Sequence, residues 1–374
     1  MLIGIDASRA ARAERTGTEA YSFHLIRALL STAPQHRLRL YADRALPREL
    51  DAPNAEPRVM PFPRLWTHVR LSTEMLLRPP DALFVPAHVV PLIHPRTVVT
   101  IHDLGYLHFP QAHPPLARLY LDLSTRSNAR VAAHVIADSQ ATKDDLVRHY
   151  GTSPAKITVA YPGRNETLLR VNDPTAIEAV KRRYNVTGDY LLYLGTLQPR
   201  KNLVRLVQAF SNLQSLSDLR SPASASNLRL VFAGGKGWLY DEIFAEVTRL
   251  GLERQVLFLG RVVEEDKAAL LSGAKAFVFP SLYEGFGLPV VEAMQCGTPV
   301  ICSNTSSLPE VAGDAALLVD PLDVNALAQA VARLLNDADL RRTLIERGYV
   351  QAQKFPWAAC AARVLAALES AAQG

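Results

Sequence analysis

Two glutamates separated by seven residues, Glu284 and Glu292, are the side chains whose spacing points most directly to chemistry. An apolar run that predicts a buried strand precedes them. Pro289 suits the first turn of a helix, because its missing N–H group has no partner there. We therefore expect Glu284 on the loop at the carboxyl end of a strand and Glu292 in the following helix. Open α/β sheets bind ligands at that edge.

The glycines between the two glutamates predict an anion-binding helix start. Gly285 and Gly287 allow the backbone to approach a ligand closely, and a helix N-terminus offers unpaired N–H groups with a partial positive charge. Flanking carboxylates could accept hydrogen bonds from hydroxyl groups, so the segment could hold a phosphate-linked sugar. The alternative interpretation is a tight turn followed by a glutamate that only complements the helix dipole.

A second cluster follows another predicted strand. Gly195 ends that strand, Arg200 and Lys201 follow in a short loop, and a helix is expected to begin near Asn202. The helix dipole disfavours cations at this position, so their presence favours an anion bound beside them. Arginine can grip a phosphate with two hydrogen bonds, and lysine supplies a compact charge. The alternative is a solvated basic loop.

The N-terminal half contains three further candidates. His102 and Asp103 close an apolar strand, where they could face a ligand or be satisfied structural residues. Gly17 precedes a predicted helix, an arrangement that is common and that also allows a phosphate to approach.

Charge is unevenly distributed along the 374 residues. Residues 1–165 contain 20 Lys and Arg against 14 Asp and Glu, a net charge of +6; the remainder contains 21 against 22, a net of −1, and together they give the overall +5. A basic N-terminal half suggests an anionic partner such as lipid head groups or a phosphorylated acceptor. The alternative is an arginine-rich composition without such a partner. Nucleic-acid binding is not expected, because no basic run is interleaved with aromatic residues.

Length and composition predict a two-domain globular protein. The chain is longer than the size at which one core keeps growing, and 48% hydrophobic with 21% charged residues is ordinary for a globular chain. No run of about 18 apolar residues predicts a membrane span, and the N-terminus lacks the features of a signal peptide. Three cysteines without metal-ligand spacing fit a reducing compartment. We expect a cytoplasmic protein, with peripheral contact at the inner membrane face as an open option.

Short β-rich runs alternate with amphipathic helical stretches along the whole chain, which predicts an α/β fold with parallel sheets covered on both faces. The sequence predicts an N-terminal domain over residues 1–165 and a second domain over residues 185–355, both doubly wound and Rossmann-like. A linker between the domains is expected over residues 161–189, and a loop is expected from Ser215 to Asn227. A final amphipathic helix is expected over residues 357–371, after a break at Pro356.

Four motifs carry a resemblance to a known family: Glu284 to Glu292, Gly195 to Asn202, Gly297 to Ile301 and Ser307 to Val311. They resemble those of the retaining nucleotide-sugar glycosyltransferases of family 4, also called group 1. The family has the GT-B fold, in which two Rossmann-like domains face each other across a cleft. The stretch from Gly195 is similar to that of bacterial mannosyltransferases. One departure is Thr196, where many members of the family have arginine.

The resemblance implies a role for each candidate residue. Glu284 would touch the hydroxyls of the donor sugar, Glu292 would bind the ribose, and Arg200 and Lys201 would hold the diphosphate. His102, with Asp103 beside it, would contact the donor sugar from the acceptor side. The remaining implied donor-site positions are Gly17, Thr196, Gly285, Phe286, Gly287 and Leu288. The resemblance also implies that the helix over residues 357–371 crosses back onto the N-terminal domain.

The reaction implied is transfer of a sugar from a nucleoside diphosphate to an acceptor hydroxyl with retention of anomeric configuration. No cofactor and no essential metal are expected, because the sequence shows no cluster with metal-ligand spacing and side-chain cations would replace Mg²⁺. GDP-mannose is the favoured donor, with UDP- and dTDP-sugars left open, and the acceptor would be a glycan or lipid-linked sugar. Pro61 to Arg70, with its aromatic and basic residues, could meet a membrane surface, or it could be a helix that packs on the core.

Two other functions share this architecture. A nucleotide-sugar epimerase would isomerise the donor without an acceptor. A non-catalytic partner would bind the nucleotide sugar without turning it over.

Overall fold

Parallel strands form the centre of each of the two units into which the chain divides. The computed structural model describes residues 1–14, 17–87, 89–215 and 227–373. One unit comprises Met1–Gly163 with Phe355–Gly374, and the other comprises Arg164–Lys354. The division differs from the predicted boundaries, because residues 164–184 belong to the second unit. The segment predicted as a loop between Ser215 and Asn227 lies almost wholly outside the described residues.

The first unit contains a seven-stranded parallel sheet with the order β3-β2-β1-β4-β5-β6-β7. Its strands are β1 (Leu2–Asp6), β2 (Arg37–Ala42), β3 (Ala55–Val59), β4 (Ala82–Val85), β5 (Thr97–Ile101), β6 (His134–Ala137) and β7 (Ile157–Val159). The central strands β4 and β5 are buried at every residue, as expected when both faces of a parallel sheet are covered. β3 was not predicted: it is an edge strand that carries charged residues and Pro57, which an edge tolerates.

Helices cover both faces of this sheet. They are α1 (Gly17–Thr32), α2 (Ser72–Leu77), α3 (Gly105–His108), α4 (Pro115–Val131), α5 (Gln140–Tyr150) and, from the end of the chain, α14 (Trp357–Gln373). Phe84 packs in one apolar cluster with α1 and α14, whereas its neighbours Leu83 and Val85 pack in a second cluster with residues of α2, α4 and α5. Alternation along a strand therefore builds two cores from one sheet.

The second unit contains a six-stranded parallel sheet with the order β10-β9-β8-β11-β12-β13. Its strands are β8 (Asp189–Leu194), β9 (Leu228–Ala233), β10 (Val256–Gly260), β11 (Ala276–Phe279), β12 (Val300–Ser303) and β13 (Ala316–Val319). Its helices are α6 (Pro174–Arg183), α7 (Leu203–Ser215), α8 (Asp241–Arg249), α9 (Glu264–Gly273), α10 (Leu288–Gln295), α11 (Leu308–Ala312), α12 (Val324–Asn336) and α13 (Ala338–Gln353).

The contacts of α6 explain why the boundary moves. Asp173 accepts a hydrogen bond from the backbone N–H of Thr175 at its N-terminus, and the helix packs against α9. α6 is therefore part of the second unit rather than a linker. Both units are Rossmann-like, which confirms the predicted fold class. Among the described residues, no helix combines the length and apolar character needed to cross a bilayer.

Candidate functional site

The strand order of the second unit creates a crevice between β8 and β11. From β8 the sheet continues through β9 and β10 in one direction, and from β11 it continues through β12 and β13 in the other. Loops that leave the carboxyl ends of two such strands diverge, and ligands of open α/β sheets bind in the gap. Lys201 follows β8 and Glu284 follows β11, so both sequence motifs lie at this point.

The loop after β8 is held in place by Asn202. Pro199–Lys201 forms one 3-10 turn, and Asn202 then adopts a left-handed conformation with φ 60° before α7 begins. Its side-chain amide donates to the carbonyls of Pro280 at 3.1 Å and Pro321 at 2.6 Å. Asparagine tolerates this backbone region, and its two donors satisfy two buried carbonyls. Arg200 and Lys201 are therefore fixed in front of the helix, as predicted.

Close backbone approach shapes the start of the same loop. Gly234, at the end of β9, has φ 155°, and a Cβ atom there would lie 2.0 Å from the carbonyl oxygen of Gly195. Only glycine fits such a contact. Thr196 follows Gly195 and is exposed, and its carbonyl accepts a hydrogen bond from the Tyr193 hydroxyl at 3.2 Å.

Two serine hydroxyls hold the loop after β11. Ser306 accepts a hydrogen bond from the backbone N–H of Glu284 at 3.0 Å. Ser307 donates to the carbonyls of Glu284 at 3.0 Å and Phe286 at 2.8 Å. This loop therefore depends on the segment before α11, whose sequence was noted only as typical of the family.

The turn between the two glutamates starts α10. Gly287 has φ 110°, and a Cβ atom added there would lie 2.7 Å from Leu308 Cδ2. Gly285 and Phe286 are buried, and Leu288 and Pro289 form the first turn of the helix, as predicted. The N-terminal amides of α10 thus lie beside the loop that carries Glu284.

Lys201 and Glu284 form a buried ion pair. The Nζ atom of Lys201 lies 2.5 Å from Oε1 of Glu284, and both side chains are about one-tenth exposed. The same ammonium lies 5.3 Å from the centre of the Phe279 ring, a cation–π distance. The loops after β8 and β11 are therefore joined by opposite charges.

Glu292 has a lysine partner of its own. Nζ of Lys267, from α9, lies 2.7 Å from Oε1 of Glu292 and 3.7 Å from Glu264. Burial raises the pKa of Glu292 despite the opposing effect of the lysine. Burial lowers the pKa of Lys267, but the two glutamates outweigh it, so its pKa is raised. Glu292, whose side chain is 12% exposed, is a hydrogen-bond acceptor whose charge is balanced by a lysine of a neighbouring helix.

His102 of the first unit is held at both ring nitrogens. Nδ1 lies 2.7 Å from Oδ2 of Asp138, and Nε2 lies 3.0 Å from the carbonyl oxygen of Pro86. Its ring also meets that of Tyr21 edge to face. Burial lowers the pKa of His102, but the Asp138 carboxylate outweighs this and the pKa is raised. Two acceptors at two nitrogens favour the doubly protonated ring, because neutral imidazole has one N–H.

The other candidates of the first unit have local roles. Oδ1 of Asp103 accepts a hydrogen bond from the backbone N–H of Gly105 at 2.9 Å, which begins α3. Gly17 is the first residue of α1, with φ 23°, and a Cβ atom added there would meet nothing within 4 Å. The two residues before it lie outside the described ranges. The implied ligand roles of His102, Asp103 and Gly17 stay predictions.

Sequence reasoning missed the residues that balance charge or hold loops. Lys267 is a cation within the acidic start of α9, and that contrast could have marked it. Asp138 and Ser306 gave no such signal, because their partners are distant in sequence, whereas Ser307 begins a motif that was noted without a role for its hydroxyl. The second unit thus brings the carboxylates of Glu284 and Glu292, the cations of Arg200 and Lys201 and the first amides of α10 to the carboxyl ends of β8 and β11.

Comparisons with known proteins agree with this chemistry. Residues 176–351 match the family described as Glycosyl transferases group 1, and residues 15–168 match Glycosyltransferase Family 4. O-antigen chain mannosyltransferase B of Escherichia coli is 33% identical over 270 residues, which are 72% of this chain and 69% of that protein.

One further relative and one solved structure extend the comparison. Serotype-specific mannosyltransferase WbdA of Escherichia coli is 29% identical over 279 residues, which cover 73% of this chain. The chain spans only 33% of the length of WbdA. Among solved structures, sucrose-phosphate synthase from Thermosynechococcus elongatus superimposes with a TM-score of 0.76 at 23% identity, covering 99% of this chain and 98% of that one. That likeness concerns the fold.

Proposed function

The chain belongs to the family 4, or group 1, glycosyltransferases, and we propose that it moves a mannosyl group from GDP-mannose to a glycan or lipid-linked acceptor of a surface polysaccharide. The observation that carries the proposal is the pair of largely buried lysine–glutamate contacts where the strand order of the second unit reverses. The mannosyltransferase names of its relatives favour mannose. UDP- and dTDP-sugars are the alternatives that a binding experiment would reveal.

Charge on the departing diphosphate is the main target of catalysis in this proposal. As the anomeric C–O bond breaks, negative charge grows on the phosphate oxygens, and fixed donors that meet it lower the barrier. We assign this role to Arg200, Lys201 and the first amides of α10. An ammonium has three N–H donors, so Lys201 can hold Glu284 and a phosphate oxygen together. Losing one such donor typically reduces kcat by about a hundred- to thousand-fold.

The carboxylates recognise hydroxyl groups in the same proposal. Glu284 binds the donor sugar, and Glu292 binds the ribose. Buried, charge-balanced carboxylates suit this work, because they accept hydrogen bonds strongly and their geometry is fixed by the lysines. The other donor-site positions belong to the same two loops and the start of α10: Thr196, Gly285, Phe286 and Leu288.

We propose same-face substitution with retention, in which the leaving phosphate accepts the proton of the acceptor hydroxyl. Glu284 then forms no covalent bond to the sugar. The transfer step itself uses no metal, because the cations that meet the phosphates are side chains. Nuclear magnetic resonance of the product anomeric centre would test retention, and turnover in EDTA would test the metal; an inverted product or complete loss in EDTA would contradict these points.

A thermal-shift screen against GDP, UDP, dTDP and ADP, and then their sugar conjugates, tests the donor. A ligand at 100 times its dissociation constant stabilises by about 2.7 kcal/mol, enough for a clear shift. We expect a selective shift with GDP-mannose that Lys201→Ala and Glu292→Ala abolish. Lys275→Ala is the matched control. Lys275 pairs with Asp189 at 3.3 Å, and this pair lies at the amino ends of β8 and β11, whereas the proposed site lies at their carboxyl ends.

Three outcomes of the screen and of donor turnover decide between functions. No shift with any nucleotide, in the presence of acceptor as well, would contradict the assignment. Conversion of the donor to its epimer without acceptor would indicate an epimerase. Selective binding without transfer across a panel of mannosylated acceptors would indicate a non-catalytic partner.

We further propose that the exposed side of α4 contacts an anionic lipid bilayer, where a lipid-linked acceptor would be presented. Leu116, Leu119, Tyr120 and Leu123 are 83%, 54%, 51% and 57% exposed, and their i, i+3, i+4, i+7 spacing makes an apolar stripe that faces solvent. Exposed arginines at 118, 126 and 130 accompany it on the same helix. Apolar stripes flanked by basic residues suit a membrane surface with anionic lipids.

The segment Pro61 to Arg70 fits this role less well than α4. Trp66 is buried, and its indole N–H donates to the carbonyl of Met60 at 2.8 Å. Trp66 therefore packs on the core, as the alternative interpretation of this segment expected. Leu65 in the same segment is 67% exposed.

Co-sedimentation with vesicles of phosphatidylcholine and phosphatidylglycerol tests the membrane contact. We expect binding that requires the anionic lipid and is lost in Leu119→Ser/Leu123→Ser. The matched control is Leu169→Ser/Leu322→Ser, which removes two leucines of similar exposure, 59% and 58%, from the second unit. Equal binding by both double variants would contradict a contact through α4.

A further inference from the structure

Three side chains with metal-binding atoms meet in the first unit. His108, Asp145 and His149 each offer one such atom, and these atoms lie within 4.8 Å of one another. Nε2 of His108 is 2.8 Å from Oδ2 of Asp145, and Nε2 of His149 is 3.7 Å from Oδ1. The longer distance exceeds a hydrogen bond. It is close to the roughly 3.3 Å that separates two ligand atoms around tetrahedral zinc with bonds of about 2.0–2.1 Å.

The helix α5 brings two of these residues onto one face. Asp145 and His149 are four residues apart, a spacing that aligns side chains along a helix. Both helix ends are fixed: Ser139 accepts a hydrogen bond from the N–H of Thr142, and Gly151 ends the helix in the left-handed conformation. His108 comes from α3, so the cluster arises from folding and could not be read from sequence spacing.

Two tyrosines next to the cluster hold α3 against α5. The hydroxyls of Tyr106 and Tyr150 lie 2.9 Å apart, and the Tyr150 hydroxyl donates to Asp122 of α4 at 2.6 Å. Tyr106 lies two residues before His108, and Tyr150 directly follows His149. The imidazoles are therefore placed by contacts that do not depend on an ion.

The cluster is open to solvent on the side of its two histidines. Asp145 is buried, whereas the side chains of His108 and His149 are 31% and 34% exposed. An ion could enter between the two imidazoles and keep water in its remaining position. The three cysteines at 296, 302 and 360 are buried, so their thiols offer no competing surface site in the folded chain.

We propose that His108, Asp145 and His149 bind a divalent transition-metal ion, with Zn²⁺ as the expected occupant, and that the ion clamps α3 to α5. Two imidazoles and one carboxylate are ligands that zinc accepts, with an open position for water. The ion is structural: it has no part in the glycosyl transfer proposed above and supplies no step of it. Its effect is to hold the segment that begins with His102 and Asp103 onto α5.

Zinc titration of the tag-free, EDTA-stripped full-length chain tests the site, with isothermal calorimetry and a competing colorimetric indicator as readouts. We expect one Zn²⁺ per chain and a higher melting temperature with zinc than without. His149→Ala and His108→Ala should each weaken binding by at least about tenfold, because losing even an outer partner of a metal ligand typically costs 10- to 100-fold. His149 is partly exposed, so this variant should fold, which circular dichroism would check.

The matched control is His36→Ala. His36 also faces a carboxylate, with Nε2 at 2.8 Å from Oε1 of Glu369, but it belongs to no three-ligand group in the described part of the chain. Its zinc affinity should equal that of the unaltered protein. Zinc binding that is unchanged in the double variant His108→Ala/His149→Ala, or no binding at one equivalent, would overturn the proposal. Nucleotide binding is measured separately, so failure here leaves the transferase assignment intact.

Discussion

At the scale of single residues, buried opposite charges define the second unit's site. Lys201 and Glu284 are each about one-tenth exposed, and Glu292 is paired with Lys267 from another helix. A buried charge without its partner is costly, whereas a complete pair is tolerated. Lys201 therefore serves two purposes in our proposal: it balances Glu284 before the donor arrives and meets the charge of the diphosphate afterwards. Lys267 balances the charge of Glu292.

Replacing Lys201 with methionine should destabilise the second unit by about 3–5 kcal/mol, because Glu284 is left buried and unpaired. Adding Glu284→Gln should restore much of this loss, since the remaining side chain is neutral. Calorimetric unfolding of the single and double variants measures both effects. A single variant that loses less than about 1 kcal/mol would show that Glu284 reaches water without its lysine.

The pair formed by His102 and Asp138 predicts a pH dependence. The pKa of His102 is raised above 6.5 in the folded protein, so its charged form is stabilised by folding. The contribution is fully present below pH 6.5 and is lost as the pH rises through the raised pKa. Asp138→Asn should therefore cost more stability at pH 6 than at pH 9, as measured by melting temperature against pH. The exposed carboxylate of Asp339, replaced by Asn, should show no such trend; equal losses at both pH values in Asp138→Asn would contradict the assignment.

At the scale of elements, the start of α10 depends on a backbone that other residues resist. Gly287 has φ 110°, outside the left-handed region that side chains occasionally occupy, and its missing Cβ leaves room for Leu308. The loop that carries Glu284 and the helix that carries Glu292 therefore meet at a position that requires glycine.

Gly287→Ala should destabilise the second unit by more than Gly251→Ala. Gly251 also has positive φ, 67°, but a Cβ atom there meets nothing within 4 Å, so it reports the backbone penalty of about 1–2 kcal/mol alone. The additional loss at Gly287 comes from contact with Leu308, and it should be accompanied by weaker nucleotide binding. Melting temperatures and the thermal-shift screen measure both; equal losses in the two variants would contradict the steric argument.

The sequence predicted elements well where burial was complete and poorly where packing decided. β4 and β11 are continuous apolar runs, and β5 is an apolar run with two threonines. All three are buried at every residue, so their signal is local. β3 contains Pro57 and charged residues, so its sequence does not resemble that of a buried strand. It forms through its parallel pairing with β2. α6 was assigned to a linker for the same reason, since its place depends on α9.

The candidate site shows the same division. Lys201, Glu284 and Glu292 could be found from the sequence, because they lie in motifs that resemble those of a known family. Lys267, whose charge balances Glu292, lies outside these motifs. Only its contrast with the acidic residues before it marks it in the sequence, and its contact with Glu292 depends on where α9 packs in the folded unit.

At the scale of the whole molecule, the end of the described chain completes the first unit. α14 packs on α1, and Trp357, Val364 and Leu368 lie in the same core cluster as Ile3 and Ile5. Gly163 makes room for this return, since a Cβ atom there would lie 2.3 Å from the Trp357 ring. One face of the first sheet is therefore covered in part by a helix that follows the second unit in the sequence.

Removing residues 355–374 should therefore unfold the first unit and leave the second intact. Truncation exposes the part of one sheet face that α14 covers, and parallel sheets are normally covered on both faces. We expect the remaining chain to bind a hydrophobic dye and to lose one of two calorimetric transitions. A separate peptide of residues 355–373 should restore the lost transition in part. Retention of both transitions after truncation would contradict this expectation.

The return of α14 also orders events during synthesis. Residues 1–163 leave the ribosome first, yet the helix that covers their sheet is made nearly two hundred residues later. Domains normally fold as they emerge, the N-terminal one first. Here all strands of the second unit have been synthesised before α14, which completes the core of the first unit. We therefore expect the first unit, although it is translated first, to finish folding last. Until then, we expect the uncovered part of its apolar face to be a surface that chaperones bind.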